Sequence, residues 1–125
     1  QLGMSKHVER LHLPPVPSSA GAARRFVAAA LGAGGEVAEL AVLLVSELAS
    51  NAVLHAETSF EVVLSLDDDW LRVEVCDGNP TMPALRTYVR ESITGRGLHM
   101  VAASADHWGF DAQPGGKVIW FELRR

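Results

Sequence analysis

The chain has 125 residues, 48% hydrophobic and 21% charged, which is the composition of a globular domain and excludes a disordered or fibrous chain. Its formal net charge of −4 and the lack of a basic stripe argue against direct nucleic-acid binding. Because the single cysteine, Cys76, has no partner for an internal disulfide, we expect a reducing, cytoplasmic compartment.

The sequence predicts a domain that does not enter a membrane. No apolar run is expected to approach the ~20 residues that a membrane-spanning helix needs, and the N-terminus lacks the pattern of a signal peptide. Residues 1–3, which precede Met4, are interpreted as a cloning remnant. We therefore expect a single domain over residues 7–125.

The first part of the chain predicts one strand followed by two helices. The alternating segment His7–Leu13 ends at a pair of prolines, which cannot extend a sheet, and is predicted to be an edge strand. Ser18 and Ser19 are candidate N-caps of a first helix over residues 22–31. Residues 36–55 contain neither glycine nor proline and predict a longer second helix.

The second part of the chain predicts a largely antiparallel sheet. Four segments are predicted as strands: residues 61–66, 71–76, 106–111 and 118–123. A long loop over residues 77–94 has the length of a lid or binding segment, and a short helix follows it. The order of elements predicts an α+β two-layer sandwich, with a mixed, mostly antiparallel sheet of about five strands covered on one face by three helices.

The second helix carries polar residues inside an apolar stripe. At about 100° per residue, Leu40, Leu44, Glu47 and Asn51 fall within an arc of roughly 60°. Either the carboxylate reaches solvent at the helix end and the amide binds a neighbouring loop, or this stretch lines a wet cleft and forms a site. Periodicity alone leaves both interpretations open.

The opposite side of the same helix is also apolar, through Val42, Ala49 and Val53. A second layer must cover part of it. The first helix is the simpler candidate and the one we favour, while a second copy of the chain, forming a homodimer, is the alternative.

Four segments in this order resemble the GHKL (histidine kinase-like) ATPase superfamily: ELASNAVLHA, VEVCDGNPTMP, TGRGLHMV and GGKVIWFEL. Within it the similarity is greatest to anti-sigma-factor serine kinases of the RsbW and SpoIIAB type. Four spaced segments are far more specific than any one alone. The resemblance implies a Bergerat-type ATP-binding fold, ATP and Mg²⁺ as cofactors, and a serine/threonine protein kinase that phosphorylates an anti-anti-sigma protein and binds a sigma factor.

The resemblance also implies roles for three polar residues. Glu47 corresponds to the catalytic general base, which takes the proton from the attacking hydroxyl. Asn51, four residues later, corresponds to the Mg²⁺ ligand. Asp77 corresponds to the acceptor of the adenine amino group, although its Asp-Gly-Asn-Pro context is equally good turn chemistry without a ligand.

The glycine-containing segments are expected to contact the nucleotide. Gly95 and Gly97 resemble the second glycine box, where backbone N–H groups approach phosphate at a helix N-terminus, although ordinary helix entry also explains them. Arg96 between them either reaches a phosphate or is solvated. Gly78 and Leu98 complete the set of residues expected to bind the cofactor.

Two positions depart from the family pattern. Asn79 stands where the first glycine box has glycine, and Val118 aligns with a threonine that supports the adenine site. These departures predict weak nucleotide binding. They leave a second function open, that of a non-catalytic module that sequesters a sigma factor or its antagonist. A third alternative, which ranks last, is a detached sensor-kinase domain.

Overall fold

The computed structural model describes residues 6–32, 34–81 and 97–125. Its strands are β1 (His7–Leu13), β2 (Phe60–Leu66), β3 (Trp70–Asp77), β4 (His107–Gln113) and β5 (Gly116–Arg124). Its α-helices are α1 (Ser18–Leu31), α2 (Glu36–Asn51) and α3 (Gly97–Ser104), and a π-helical turn, Ala52–Ala56, continues α2. Helices and sheet form the predicted α+β two-layer sandwich.

The strands form one sheet in the order β1-β2-β3-β5-β4, and β1 is an edge strand as predicted. A mixed sheet was expected, but every pairing among the described strands is antiparallel. The register places Val62 opposite Val75 and Val73 opposite Phe121. Because side chains alternate between the faces of a sheet, this register gathers the large apolar residues on the face that meets the helices.

The core lies between that face and α2. Leu44, Val45 and Leu48 of the helix are fully buried, as are Phe60 and Phe121 of the sheet. Burial of such side chains is worth about 1.5–3 kcal/mol each, so this layer is the main source of stability. It also fixes the position of α2 over the sheet, and with it the polar residues at the helix end.

The opposite face of the sheet is polar, and its charges are paired with one another. Arg72 donates hydrogen bonds to Glu74 at 2.7 Å and to Glu122 at 2.9 Å. Its guanidinium group lies 4.1 Å from the centroid of the Trp120 ring. This ladder satisfies the central charges of a face that has no helical layer among the described elements.

The outer side of α2 is covered by α1, as expected. Val27 of α1 is fully buried, and Val42 and Val53 pack against the core. Arg24 of α1 also donates a hydrogen bond to the Ser46 hydroxyl at 2.9 Å. A second copy of the chain is therefore not needed to bury these valines.

The helix boundaries differ from the sequence predictions. Ser18 and Ser19 lie inside α1 and are not N-caps; the Ser19 hydroxyl instead donates to the Pro14 carbonyl oxygen at 2.6 Å. The regular part of α2 ends at Asn51, and a π turn replaces its predicted last residues.

One helical segment is long and apolar enough to cross a membrane. It runs over the 21 residues Glu36–Ala56 and contains an 18-residue window with a mean hydropathy of 1.7, so the expectation that no apolar run approaches this length is wrong. The core helix of a soluble domain has the same property. Here the buried apolar side chains of α2 pack on the sheet, and the segment alone does not indicate a membrane protein.

Candidate functional site

The end of α2 carries two buried polar side chains one turn apart. Glu47 is 6% exposed and Asn51 is 1% exposed. Within the described part of the chain, neither the amide nitrogen nor the amide oxygen of Asn51 has a hydrogen-bond partner. Leaving a buried polar group unsatisfied costs about 1–3 kcal/mol per group. The unsatisfied Asn51 amide is thus the feature of the described structure that most directly indicates a ligand-binding site.

A π turn follows Asn51 directly. The Glu57 N–H donates to the Ala52 carbonyl oxygen at 3.3 Å, and Glu57 ends the turn in the left-handed region at φ 58°. Single π turns inside helices occur frequently at functional sites. The turn widens the helix just beyond the orphaned amide, and it was not predicted from the sequence.

Asn79 ties the loop after β3 to this π turn. Its amide group donates to the carbonyl oxygens of His55 at 3.4 Å and Ala56 at 3.3 Å, and its Oδ1 accepts from the Thr81 N–H at 2.9 Å. The preceding Gly78 N–H donates to the Thr58 hydroxyl at 2.9 Å. The departure at Asn79 therefore has a structural role, since its side chain satisfies carbonyls that the π turn leaves free.

Asp77 is held by a lysine that the sequence analysis missed. The Lys117 ammonium lies 3.1 Å from Oδ1 and 3.1 Å from Oδ2 of Asp77, and the two side chains are 2% and 3% exposed. The ammonium also donates to the Asn79 carbonyl oxygen at 3.1 Å. Lys117 is one of only two lysines, and it lies directly opposite Asp77 in the β3–β5 register. The rarity of lysine was the only sequence signal for this residue, and it did not indicate its partner.

The start of β5 is packed tightly against the end of β3. A Cβ atom placed on Gly116 would lie 1.9 Å from the Asp77 carbonyl oxygen, so only glycine fits there. Val118 pairs with Cys76 and therefore lies on the other face of the sheet from Asp77. Val118 therefore does not lie beside Asp77, where a residue that supports adenine was expected. The residue that faces Asp77 is Lys117.

The other expected site residues are only partly brought together. Leu98 of α3 is fully buried and belongs to the core cluster, beside α2. Gly97 begins α3, whereas Gly95 and Arg96 lie outside the described residues. Of the expected site residues, the structure places Glu47 and Asn51 together at the end of α2, whereas Leu98 lies in the core and Gly95 and Arg96 are outside the described residues.

A magnesium ion would find few protein ligands here. No group of three or more His, Cys, Asp or Glu side chains that could hold a metal occurs in residues 6–32, 34–81 and 97–125. Mg²⁺ is commonly held by one or two protein oxygens together with substrate phosphates and water. The single orphaned amide oxygen of Asn51 fits that kind of site and not a protein-only cage.

Comparison with known proteins assigns the chain to a family. Residues 13–123 match the family described as the histidine kinase-like ATPase domain, so the chain belongs to it. The structure is similar to that of the RsbU and RsbW domains of Rv1364c from Mycobacterium tuberculosis, with a TM-score of 0.69 and 22% identity. The match covers 94% of this chain and 32% of that one, and it supports the fold. Among curated proteins no sequence matches.

Proposed function

We propose that this domain is an ATP-binding regulator of the RsbW type, which transfers the γ-phosphoryl group of Mg-ATP to a serine or threonine of an anti-anti-sigma protein. The observation that carries the proposal is the buried Asn51 amide, which lacks a partner in the described residues and lies one turn from the buried Glu47. Family membership and the RsbW-containing neighbour support it.

Each of the two residues has a chemical task at the end of α2. The Asn51 amide oxygen is a hard ligand of the kind that Mg²⁺ prefers. The Glu47 carboxylate accepts the proton of the attacking hydroxyl. Mg-ATP, when bound, supplies the transferable phosphoryl group and the metal charge. Leu98 contributes apolar packing to the core on which α2 lies.

A second function is favoured by the other end of the candidate site. Asp77, the expected acceptor of the adenine amino group, is already paired with Lys117. If Lys117 occupies the carboxylate that would bind the adenine base, the domain binds nucleotide weakly and acts through protein binding. The alternative is therefore a non-catalytic module that sequesters a sigma factor or its antagonist in the cytoplasm, as a monomer or homodimer.

Thermal unfolding with and without Mg-ATP distinguishes these functions. Ligand at 100 times its Kd adds about 2.7 kcal/mol, which corresponds to a rise in Tm of about 10 °C for a domain of this size. We expect such a rise for the wild type and a much smaller one for Asn51→Leu. No rise at millimolar Mg-ATP in either protein would eliminate the kinase and leave the binding module.

A further inference from the structure

A buried ion pair occupies the carboxylate that family resemblance assigns to base recognition. Both side chains are almost fully enclosed, and the ammonium of Lys117 lies at hydrogen-bond distance from both oxygens of Asp77. Oδ1 of Asp77 accepts a second hydrogen bond, from the Asn79 N–H at 2.8 Å. The carboxylate thus meets the requirement that a buried charge be paired and hydrogen-bonded without any ligand.

The position of Lys117 is imposed by the backbone. It follows Gly116, whose backbone packs directly against the Asp77 carbonyl group, and it pairs with Asp77 in the β3–β5 register. A third contact, from the ammonium to the Asn79 carbonyl oxygen, holds the head group from the loop side. The start of β5 cannot move away from Asp77 without disturbing the sheet.

We propose that Lys117 sets base recognition in this protein by masking Asp77. A purine amino group that approaches Asp77 must share or displace a charge-assisted bond, which is about twice as strong as a neutral hydrogen bond. The base therefore adds little to affinity, and binding rests on the metal and phosphates at the end of α2. This inference rests on the proposed nucleotide function and adds the determinant of its specificity.

The masking predicts how the wild type ranks three ligands. ATP, GTP and inorganic triphosphate, each with Mg²⁺, should bind with Kd values within about threefold of one another in isothermal titration calorimetry. A wild type that prefers ATP over both GTP and triphosphate by tenfold or more would overturn the proposal, because Asp77 would then be reading the base.

Removal of the ammonium should restore base selectivity. Lys117→Met keeps the length of the side chain without its charge, and it should bind Mg-ATP at least tenfold more tightly while its affinity for Mg-triphosphate stays unchanged. Lys117→Gln, which still donates a hydrogen bond to Asp77, should shift in the same direction and serves if the methionine variant does not fold. Weaker ATP binding by these variants, or an unchanged ratio of ATP to triphosphate affinity, would overturn masking.

The same titrations separate this inference from the proposed function. If the wild type binds neither Mg-ATP nor Mg-triphosphate, the kinase is eliminated. If Lys117→Met then gains ATP binding, masking is supported although the wild type is not an enzyme. If that variant also binds nothing, both proposals fail. If the wild type binds both ligands and the variants do not change their ratio, only masking fails.

Discussion

The two ends of the candidate site are opposites in hydrogen bonding. At the end of α2, the Asn51 amide is buried without a partner in the described residues. At the junction of β3 and β5, the side chain of Asp77 is buried, and both of its carboxylate oxygens have a partner. Both are polar groups in a dry interior, where the free energy depends on whether they are satisfied. The polar group at the first end is unsatisfied within the described residues, and the charge at the second end is paired.

The difference concerns stability. The charge of Asp77 is paired within the fold, whereas the unsatisfied Asn51 amide lowers the free energy of unfolding. An ion pair that closes within the sheet helps hold β3 and β5 in register. An unsatisfied buried amide lowers the stability of the free protein, and the proposed binding of Mg-ATP would account for its presence.

The largest effect is expected from Glu47→Gln, which keeps the shape of the side chain and removes the base. Phosphoryl transfer to an anti-anti-sigma protein should fall by about 10²–10⁴-fold, the usual contribution of general base catalysis. Nucleotide affinity should stay within about twofold. Transfer is measured with labelled ATP in single turnovers, and Glu39→Gln, at an exposed position of the same helix, is the control. Equal transfer by the Glu47 variant would remove Glu47 from the mechanism.

Asp77→Leu should cost about 3–5 kcal/mol of unfolding free energy, because it leaves the Lys117 ammonium buried and unpaired. The double variant Asp77→Leu/Lys117→Met replaces both charges with apolar groups and should recover most of the loss. Urea denaturation measures both. If Asp77→Leu is as stable as the wild type, the ion pair is accessible to water, and the contrast between the two ends of the site is weaker.

The two asparagines of the chain should respond in opposite directions to the same substitution. Without ligand, Asn51→Leu should raise the unfolding free energy by about 1 kcal/mol, because it removes an unsatisfied buried amide. Asn79→Leu should lower it by about 1–3 kcal/mol, because it removes hydrogen bonds to the π turn and the loop. Urea titration of the two variants side by side checks the signs. Destabilisation by Asn51→Leu would mean that its amide is satisfied in the free protein.

The smallest effect concerns Cys76, which neighbours Asp77 on the opposite face of β3. Burial raises the pKa of its thiol from 9.0 to about 11, and the nearby charges of Glu74 and Glu61 add to the rise. Since the unfolded thiol ionises first, stability should decrease as the pH rises from about 9 to 11. At pH 8.5, alkylation by iodoacetamide should be about tenfold slower in the native protein than in urea. Equal rates would indicate that the sheet opens there.

The fold was largely predictable because its signals are local. Alternation of apolar residues predicted β2 and β3, and the long stretch without glycine or proline predicted α2. In the turn between the two strands, Asp67 accepts hydrogen bonds from the N–H groups of Asp69 and Trp70 at 2.8 Å each. The helix N-caps were predicted wrongly because Pro17 already starts α1 and Ser19 bonds backward to Pro14.

The candidate site was only half predictable. The helical period placed Glu47 and Asn51 in a leucine stripe, but it left open whether they reach solvent or lie in the interior, and only the structure shows that both are buried. The masking of Asp77 depends on register between strands forty residues apart, and no local pattern reports that pairing. The π turn was hidden for a similar reason, since the Asn79 contacts that satisfy its carbonyls come from a distant loop.

The most direct test of the account is the side-chain amide region of a ¹H–¹⁵N NMR spectrum. The chain has two asparagines and two glutamines, so only four carboxamide groups contribute, each with a pair of signals, and Asn51→Leu assigns one pair by its loss. Titration with Mg-ATP should shift the Asn51 signal strongly and leave that of Asn79 nearly in place. An Asn51 signal that does not move while the nucleotide binds would contradict the claim that this amide awaits magnesium and phosphate.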